Sequence, residues 1–233
     1  MQSIDKDARI AGLLYLVLTL IGIFSLIYVP GRLFVHGNPG QTAANIAAHE
    51  TLFRLGIFGE LAGIVVELAV ALALYRLFAR VDKGNALLMV VLGGILPIPI
   101  YFANALNWVA ALLLSQGGVH ATALSPPERD AALALFLNLH HYGFAASEIF
   151  AGLWLFPMGA LVYRSRFVPR FLGVWLAVNG LAYLVLSFCG IVLPQYEDLL
   201  AKVTFPITLG EIVLMLWLLV AGAKEPLPAT RAG

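Results

Sequence analysis

The chain has 233 residues, 61% of them hydrophobic and only 12% charged, with a formal net charge of +1 and a mean hydropathy of +0.91. A soluble domain carries roughly 25% charged residues, so this composition excludes a water-covered globule and makes lipid the solvent for much of the surface. The near-neutral balance, with no basic patch interleaved with aromatics, excludes a nucleic-acid partner.

A helix that crosses a bilayer needs about 20 apolar residues to match a hydrocarbon core of about 30 Å. The first such run is 9–29. It exceeds a signal-peptide core in length, and Tyr28-Val29-Pro30-Gly31 lacks a small-x-small cleavage pattern, so it is read as a retained first span. Gly37-Asn38-Pro39-Gly40 then predicts a turn. Thr42 is placed to cap a short helix whose Ile46, His49, Glu50 and Phe53 share a face, expected to lie in the outer interface. Glu50 and Arg54, four residues apart, make a modest surface pair.

The second span is predicted over 52–79 and the third over 86–114. Gly59-x-x-x-Gly63 in the second permits close helix approach. Pro97 and Pro99 in the third deprive the preceding turn of amide donors and predict a kink that opens the outer half of the bundle. Ser125-Pro126-Pro127-Glu128 has capping-box spacing, so a helix should begin there and run into the fourth span, 132–163. Spans at 168–193 and 203–222 complete the set. The expected fold is all-α, a polytopic transmembrane helical bundle of six spans. It forms one domain over 1–223, followed by a flexible tail, 224–233.

Basic residues orient it. Lys6, Arg9, Arg76, Arg80, Lys83, Arg164, Arg166, Arg170, Lys224 and Arg231 fall on one side of alternate segments, and only Arg32, Arg54, Arg129 and Lys202 on the other. By the positive-inside rule both termini are expected in the cytoplasm, and the even number of spans agrees in putting them on one side. The expected location is the bacterial inner membrane.

Chemistry is sought where ionisable groups lie at hydrocarbon depth. A charge at the centre of a span costs about 2.5–3.5 kcal/mol on insertion scales, so such residues face protein or water. Glu60, Glu67, Glu148 and Glu211 lie inside spans with no deep Lys or Arg to pair with. Glu60 and Glu67 are seven apart and share a helix face, as do His141 and Glu148 with Asn138 on the same stripe. Asn104 and Asn107 add polar groups in the outer half of the third span, and His140 stands beside His141. Together these residues form a candidate cluster for a small ligand, a lipid, or a cation or proton. Adjacent His140 and His141 point about 100° apart on a helix, so no metal site is expected from them. Phosphate-loop, dinucleotide-fold, nucleophile-elbow and H-E-x-x-H patterns are all missing, and no cofactor is expected. Cys189, the one cysteine, sits in an apolar run and is read as a small buried hydrophobe. Trp108, Trp154, Trp175 and Trp217 are scattered and are read as anchors and packing residues.

Several ordered motifs carry a family resemblance. They are Arg9-Ile10-Ala11-Gly12-Leu13-Leu14-Tyr15, Asn45-Ile46 with Leu52-Phe53-Arg54-Leu55-Gly56, and His140-His141-Tyr142-Gly143-Phe144. Tyr163-Arg164-Ser165 with Pro169-Arg170-Phe171-Leu172-Gly173, then Gly180-Leu181-Ala182-Tyr183-Leu184 and Gly210-Glu211, complete the series. Over about 9–222 the chain resembles the bacterial membrane family catalogued as domain of unknown function 4386. That resemblance implies an acid at Glu60 and at Glu211 and a histidine at His140, and it transfers no activity.

Three functions remain open at this point. The leading one is an outward-opening polar cavity that binds a small ligand or a cation, for transport or sensing. The second is an intramembrane metal-dependent hydrolase acting on lipid, with His140 and carboxylates as ligands. The third is a non-catalytic scaffold in which the polar residues serve only packing.

Overall fold

Backbone amides in hydrocarbon have no water to bond, so a membrane-crossing chain satisfies them within its own helices. The computed structural model describes residues 4–117 and 123–223, and all regular structure among them is helical. Six stretches are long and apolar enough to cross a bilayer: Ile4–Leu33, Glu50–Phe78, Lys83–Ser115, Pro126–Ser165, Arg170–Val192 and Pro194–Ala221. Phe58 (68% exposed), Val65 (66%), Leu106 (65%) and Val220 (71%) present bare apolar surface. In water such a belt would drive aggregation, whereas hydrocarbon matches it. The chain is a multi-pass helical membrane protein.

Proline and glycine shape the interruptions. The third span breaks where Pro97 and Pro99 predict it, through a π-helical turn at Val91–Ile95. Leu96 N reaches back five residues to Val91 O (3.0 Å) before the helix restarts at Ile98. The sixth span starts earlier than the hydropathy run suggests, because a turn at Pro194–Tyr196 leads straight into Glu197–Thr208. It breaks at Leu209 and resumes as Gly210–Leu216. Ser125 and Glu128 realise the predicted start of the fourth span, with Ser125 N donating to Glu128 Oε2 at 2.8 Å.

The short helix before the second span is present as Pro39–Ala48, but its cap differs from the expected one. Asn38 caps it, accepting from Gln41 N at 3.0 Å, with Pro39 at the first helical position. Gly37 adopts φ +70°, a left-handed conformation that glycine enters without steric cost, and this sets the turn one step earlier. Thr42 therefore lies inside the helix, where its Oγ1 accepts from Val35 N (2.9 Å) and donates to Asn38 O (3.1 Å). The helix ends at His49, so Glu50 and Phe53 belong to the second span, where Arg54 Nε pairs with Glu50 Oε1 at 2.5 Å.

By internal contacts the chain divides into two compact units. The first comprises 1–16, 67–96 and 148–233. It holds every described basic residue assigned to the inner side; Lys224, Arg231 and the tail 224–233 lie outside the described residues. Buried Asp7 pairs with Arg80 (3.1 Å) and Asp82 with Arg164 (2.9 Å). Arg9 donates to Leu219 O (3.2 Å), and Ala223 N to Asp5 Oδ1 (3.3 Å), so the two ends of the described chain meet. Glycines bring the fourth and fifth spans into backbone contact here. A Cβ at Gly159 would lie 2.6 Å from Gly173 O, and one at Gly152 2.7 Å from Gly180 O. Cys189 is buried in the same unit.

The second unit comprises 17–66 and 97–147. Its core gathers Val29, Leu33, Ile46, Phe53, Trp108 and Leu133. Gly59 and Gly63 face Ser25 and Ile21 of the first span, the close approach their spacing permits. Asn45 Nδ2 donates to Leu33 O (3.1 Å), tying the short helix to the end of that span.

Two outcomes follow. Gly159→Val should force backbone apart and cost about 1–3 kcal/mol, as overpacking does. Gly22→Ala, with nothing within 4 Å of the added carbon, should leave unfolding in detergent unchanged or slightly raised. The Asp82 carboxylate, capping the helix Lys83–Val90 outside the spans, is held below its ordinary pKa by hydrogen bonds from the Asn85 backbone and then side chain, with Arg164 adding to them. A depressed pKa adds stability above the unfolded value and loses it as pH falls through the folded one. Asp82→Ala should therefore lower Tm at neutral pH, and the gap to wild type should close as pH falls below about 4.

Candidate functional site

In the second unit the third span presents Asn104, Asn107 and Trp108 on neighbouring turns, with Asn104 and Trp108 on its buried face. Asn104 Nδ2 donates to His140 O at 3.0 Å, and Asn107 Nδ2 donates to Asn104 Oδ1 at 3.2 Å. Gly143 makes that approach feasible, since a Cβ there would fall on the Asn104 amide. The asparagine pair thus clamps the fourth span at the level of His140.

His140 is buried, and its Nε2 lies 2.7 Å from Glu60 Oε1 of the second span. With Glu60 ionised the ring N–H donates to the carboxylate. The imidazole also stacks on Trp108, centroids 4.6 Å apart at 27°. Trp108 in turn stacks on Phe53 (5.2 Å) and meets Phe34 edge-on (5.9 Å). An aromatic wall therefore fixes the plane of the ring, while Glu60 fixes its direction.

That wall forms part of a cleft of about 730 Å³. Its polar lining includes Asn38, Thr42, Asn138, His140 and His141; leucine, proline and phenylalanine side chains supply most of the rest. Among the described residues no Asp, Glu, Lys or Arg lines it, while His36 joins His140 and His141 in the lining. Trp108 Nε1, in a side chain only 1% exposed, has no hydrogen-bond partner among the described residues.

The first unit holds the other acids. Tyr15 OH donates to Glu211 Oε2, while Glu211 Oε1 finds no hydrogen-bond partner among the described residues. Glu67 lies within electrostatic reach of Glu211, and Glu148 within reach of Glu197. Glu211 follows the break in the sixth span. Trp175 Nε1 donates to Ile207 O (2.8 Å) and Asn179 Nδ2 to Thr208 O (3.3 Å), so the fifth span serves carbonyls at that break.

Of the eight residues singled out, the structure brings Glu60, Asn104, Asn107 and His140 into one bonded group, with His141 lining the adjoining cleft. Glu67 and Glu211 belong to the other unit, within electrostatic reach of each other, and Glu148 belongs to that unit while Asn138 and His141 of its own helix do not. Two participants are additions to the sequence reading. Tyr15 lies on the face of the first span that buries Ala8, Ala11 and Gly12, and that small-residue face was the available signal. Trp108, expected as an anchor or packing residue, is core and also the stacking partner of His140; nothing in its own neighbourhood announces this. Among the described residues no three His, Cys, Asp or Glu side chains gather as metal ligands.

Fold and site together define a polytopic α-helical membrane protein that buries paired polar side chains between its spans. The chain belongs to the family described as domain of unknown function DUF4386, whose model matches residues 10–222. It is similar to an uncharacterized protein of Archaeoglobus fulgidus, at 26% identity over 164 residues, 69% of this chain and 80% of that one. No solved structure matches it.

The Glu60–His140 pair is testable by a double-mutant cycle. Glu60→Leu and His140→Phe should each cost about 3 kcal/mol by stranding the other member in a buried position. The double variant should cost less than the sum by more than about 0.5 kcal/mol in unfolding measured in detergent.

Proposed function

We propose that the protein is a ligand-binding protein of the cytoplasmic membrane, working in transport or sensing, with both termini in the cytoplasm and the second unit's cleft on the outer side. The buried Glu60–His140 pair at the cleft wall carries this reading. Packing alone does not call for a carboxylate and an imidazole at hydrocarbon depth, oriented by an asparagine clamp and an indole beside an open volume. Such intramembrane ionisable groups characteristically mark ligand or proton routes. All the described basic residues of the first unit except Lys202 fall in segments read as inner, which supports a cytoplasmic placement for those segments. Residues 1–223 are read as one functional domain, because the chain passes from one unit to the other within the helices Ile4–Gly22, Glu50–Phe78 and Pro126–Ser165. In this reading Glu67, Glu148 and Glu211 serve a separate polar locus of the same domain rather than the cleft.

The test is native mass spectrometry of protein released gently from its membrane. Wild type should carry a small-molecule adduct that is lost when the cleft is filled by Ala134→Trp, a lining position. Identical spectra for the two proteins, both correctly folded by circular dichroism, would remove the cleft as a binding site.

A further inference from the structure

Resting on the reading of the cleft as a binding site, we infer its ligand class: an amphipathic anion, with a compact negative head received by the imidazoles of His36 and His141 and one apolar tail.

The polar part of the lining decides the sign of the head. Three imidazoles, those of His36, His140 and His141, line one volume together with Asn38 and Asn138, and among the described residues no Asp or Glu does. Two carboxylates adjoin the lining without joining it. Glu60 is held by His140 Nε2 at 2.7 Å. Asp130 lies against Gly40, where an added Cβ would fall 2.9 Å from its Oδ2. Gly40 is in the first turn of the helix Pro39–Ala48, where the helix dipole favours a carboxylate. His140 is thus committed to Glu60, while His36 and His141 are exposed residues of the cleft. An imidazole donates from one nitrogen when neutral and from both when protonated, and an anion beside it favours the protonated form. Asn38 adds a donor, because its Oδ1 is taken by Gln41 N at 3.0 Å and the other end of the amide is Nδ2. A cationic head would find no carboxylate in the lining to pair with, and burying an unpaired charge is heavily disfavoured.

The apolar part decides the tail. Leu26, Pro30, Phe34, Leu137 and Phe144 line the same volume. Leu26 (38% exposed) and Phe144 (40%) also belong to the apolar surface that lipid covers, so an alkyl chain can lie along them while its head stays at the histidines. At about 730 Å³ the cleft has the size of a site for a small organic molecule, well beyond what a bare inorganic anion fills. The carboxylates of fatty acids and the phosphate monoesters of single-chain lipids share this chemistry.

The experiment measures binding to purified protein in phosphatidylcholine nanodiscs by equilibrium dialysis, with uptake by empty nanodiscs subtracted. The probes are dodecanoate, dodecyl phosphate, inorganic phosphate, dodecanol and dodecyltrimethylammonium. Dodecanoate or dodecyl phosphate should bind saturably, and the tighter of the two identifies the source of the anion. The other three should bind at least about tenfold more weakly, the discrimination that charge-assisted hydrogen bonds provide. The double variant His36→Gln/His141→Gln keeps donors but cannot take up charge. It should weaken the anionic amphipath about tenfold or more and leave dodecanol unchanged. Tightest binding by dodecanol, dodecyltrimethylammonium or inorganic phosphate overturns the inference. So does wild-type affinity for the anionic amphipath in the double variant or in Ala134→Trp. If Ala134→Trp expels a native adduct yet neither anionic amphipath binds wild type, the ligand class falls and the cleft reading stands.

Discussion

A carboxylate buried among apolar helices is deprived of water, and in each unit one such acid is met by a partner from a span distant in the chain. Glu60 meets His140, and Glu211 meets the hydroxyl of Tyr15. These bonds join residues 80 and 196 positions apart in the chain, so they select which spans are neighbours. The cost of leaving either acid unpaired makes the selection strong.

The same rule governs the backbone. Where proline or a helix break releases a carbonyl, something else must serve it. The π turn before Pro97 is a local answer, shifting one amide to a bond five residues back. At the break in the sixth span the answer is tertiary, with Trp175 and Asn179 of the fifth span donating to Ile207 and Thr208. Such donors work only if the spans come very close. Gly210 against the Trp175 ring, and Gly159 against Gly173, permit that approach, because lipid tails supply no hydrophobic drive to push helices together. In the candidate site Gly143 plays the corresponding part, giving Asn104 room to reach the His140 carbonyl.

Polar pairing and aromatic packing are coupled at His140. Its ring is fixed in direction by Glu60 and in plane by Trp108, and Trp108 is itself held by Phe53 and Phe34. The site is thus continuous with the core of its unit through Trp108 and Leu133, which belong to that core and also line the cleft.

The sequence by itself determined the six helices, the break at Pro97 and Pro99, the capping box at Ser125 and the intramembrane acids. Each of these is written in local order: about twenty apolar residues must match the hydrocarbon, a missing amide must interrupt a helix, and a charge inside an apolar run cannot be disguised. Even locally the reading had a limit, since the choice between Asn38 and Thr42 as cap turned on the left-handed backbone at Gly37, which sequence admits but does not compel. Only the tertiary structure decided that Glu60 belongs with His140 and Glu211 with Tyr15, and that Trp108 is the stacking partner of His140. Helical periodicity states which face a side chain occupies, while the partner is chosen by the packing of helices distant in the chain.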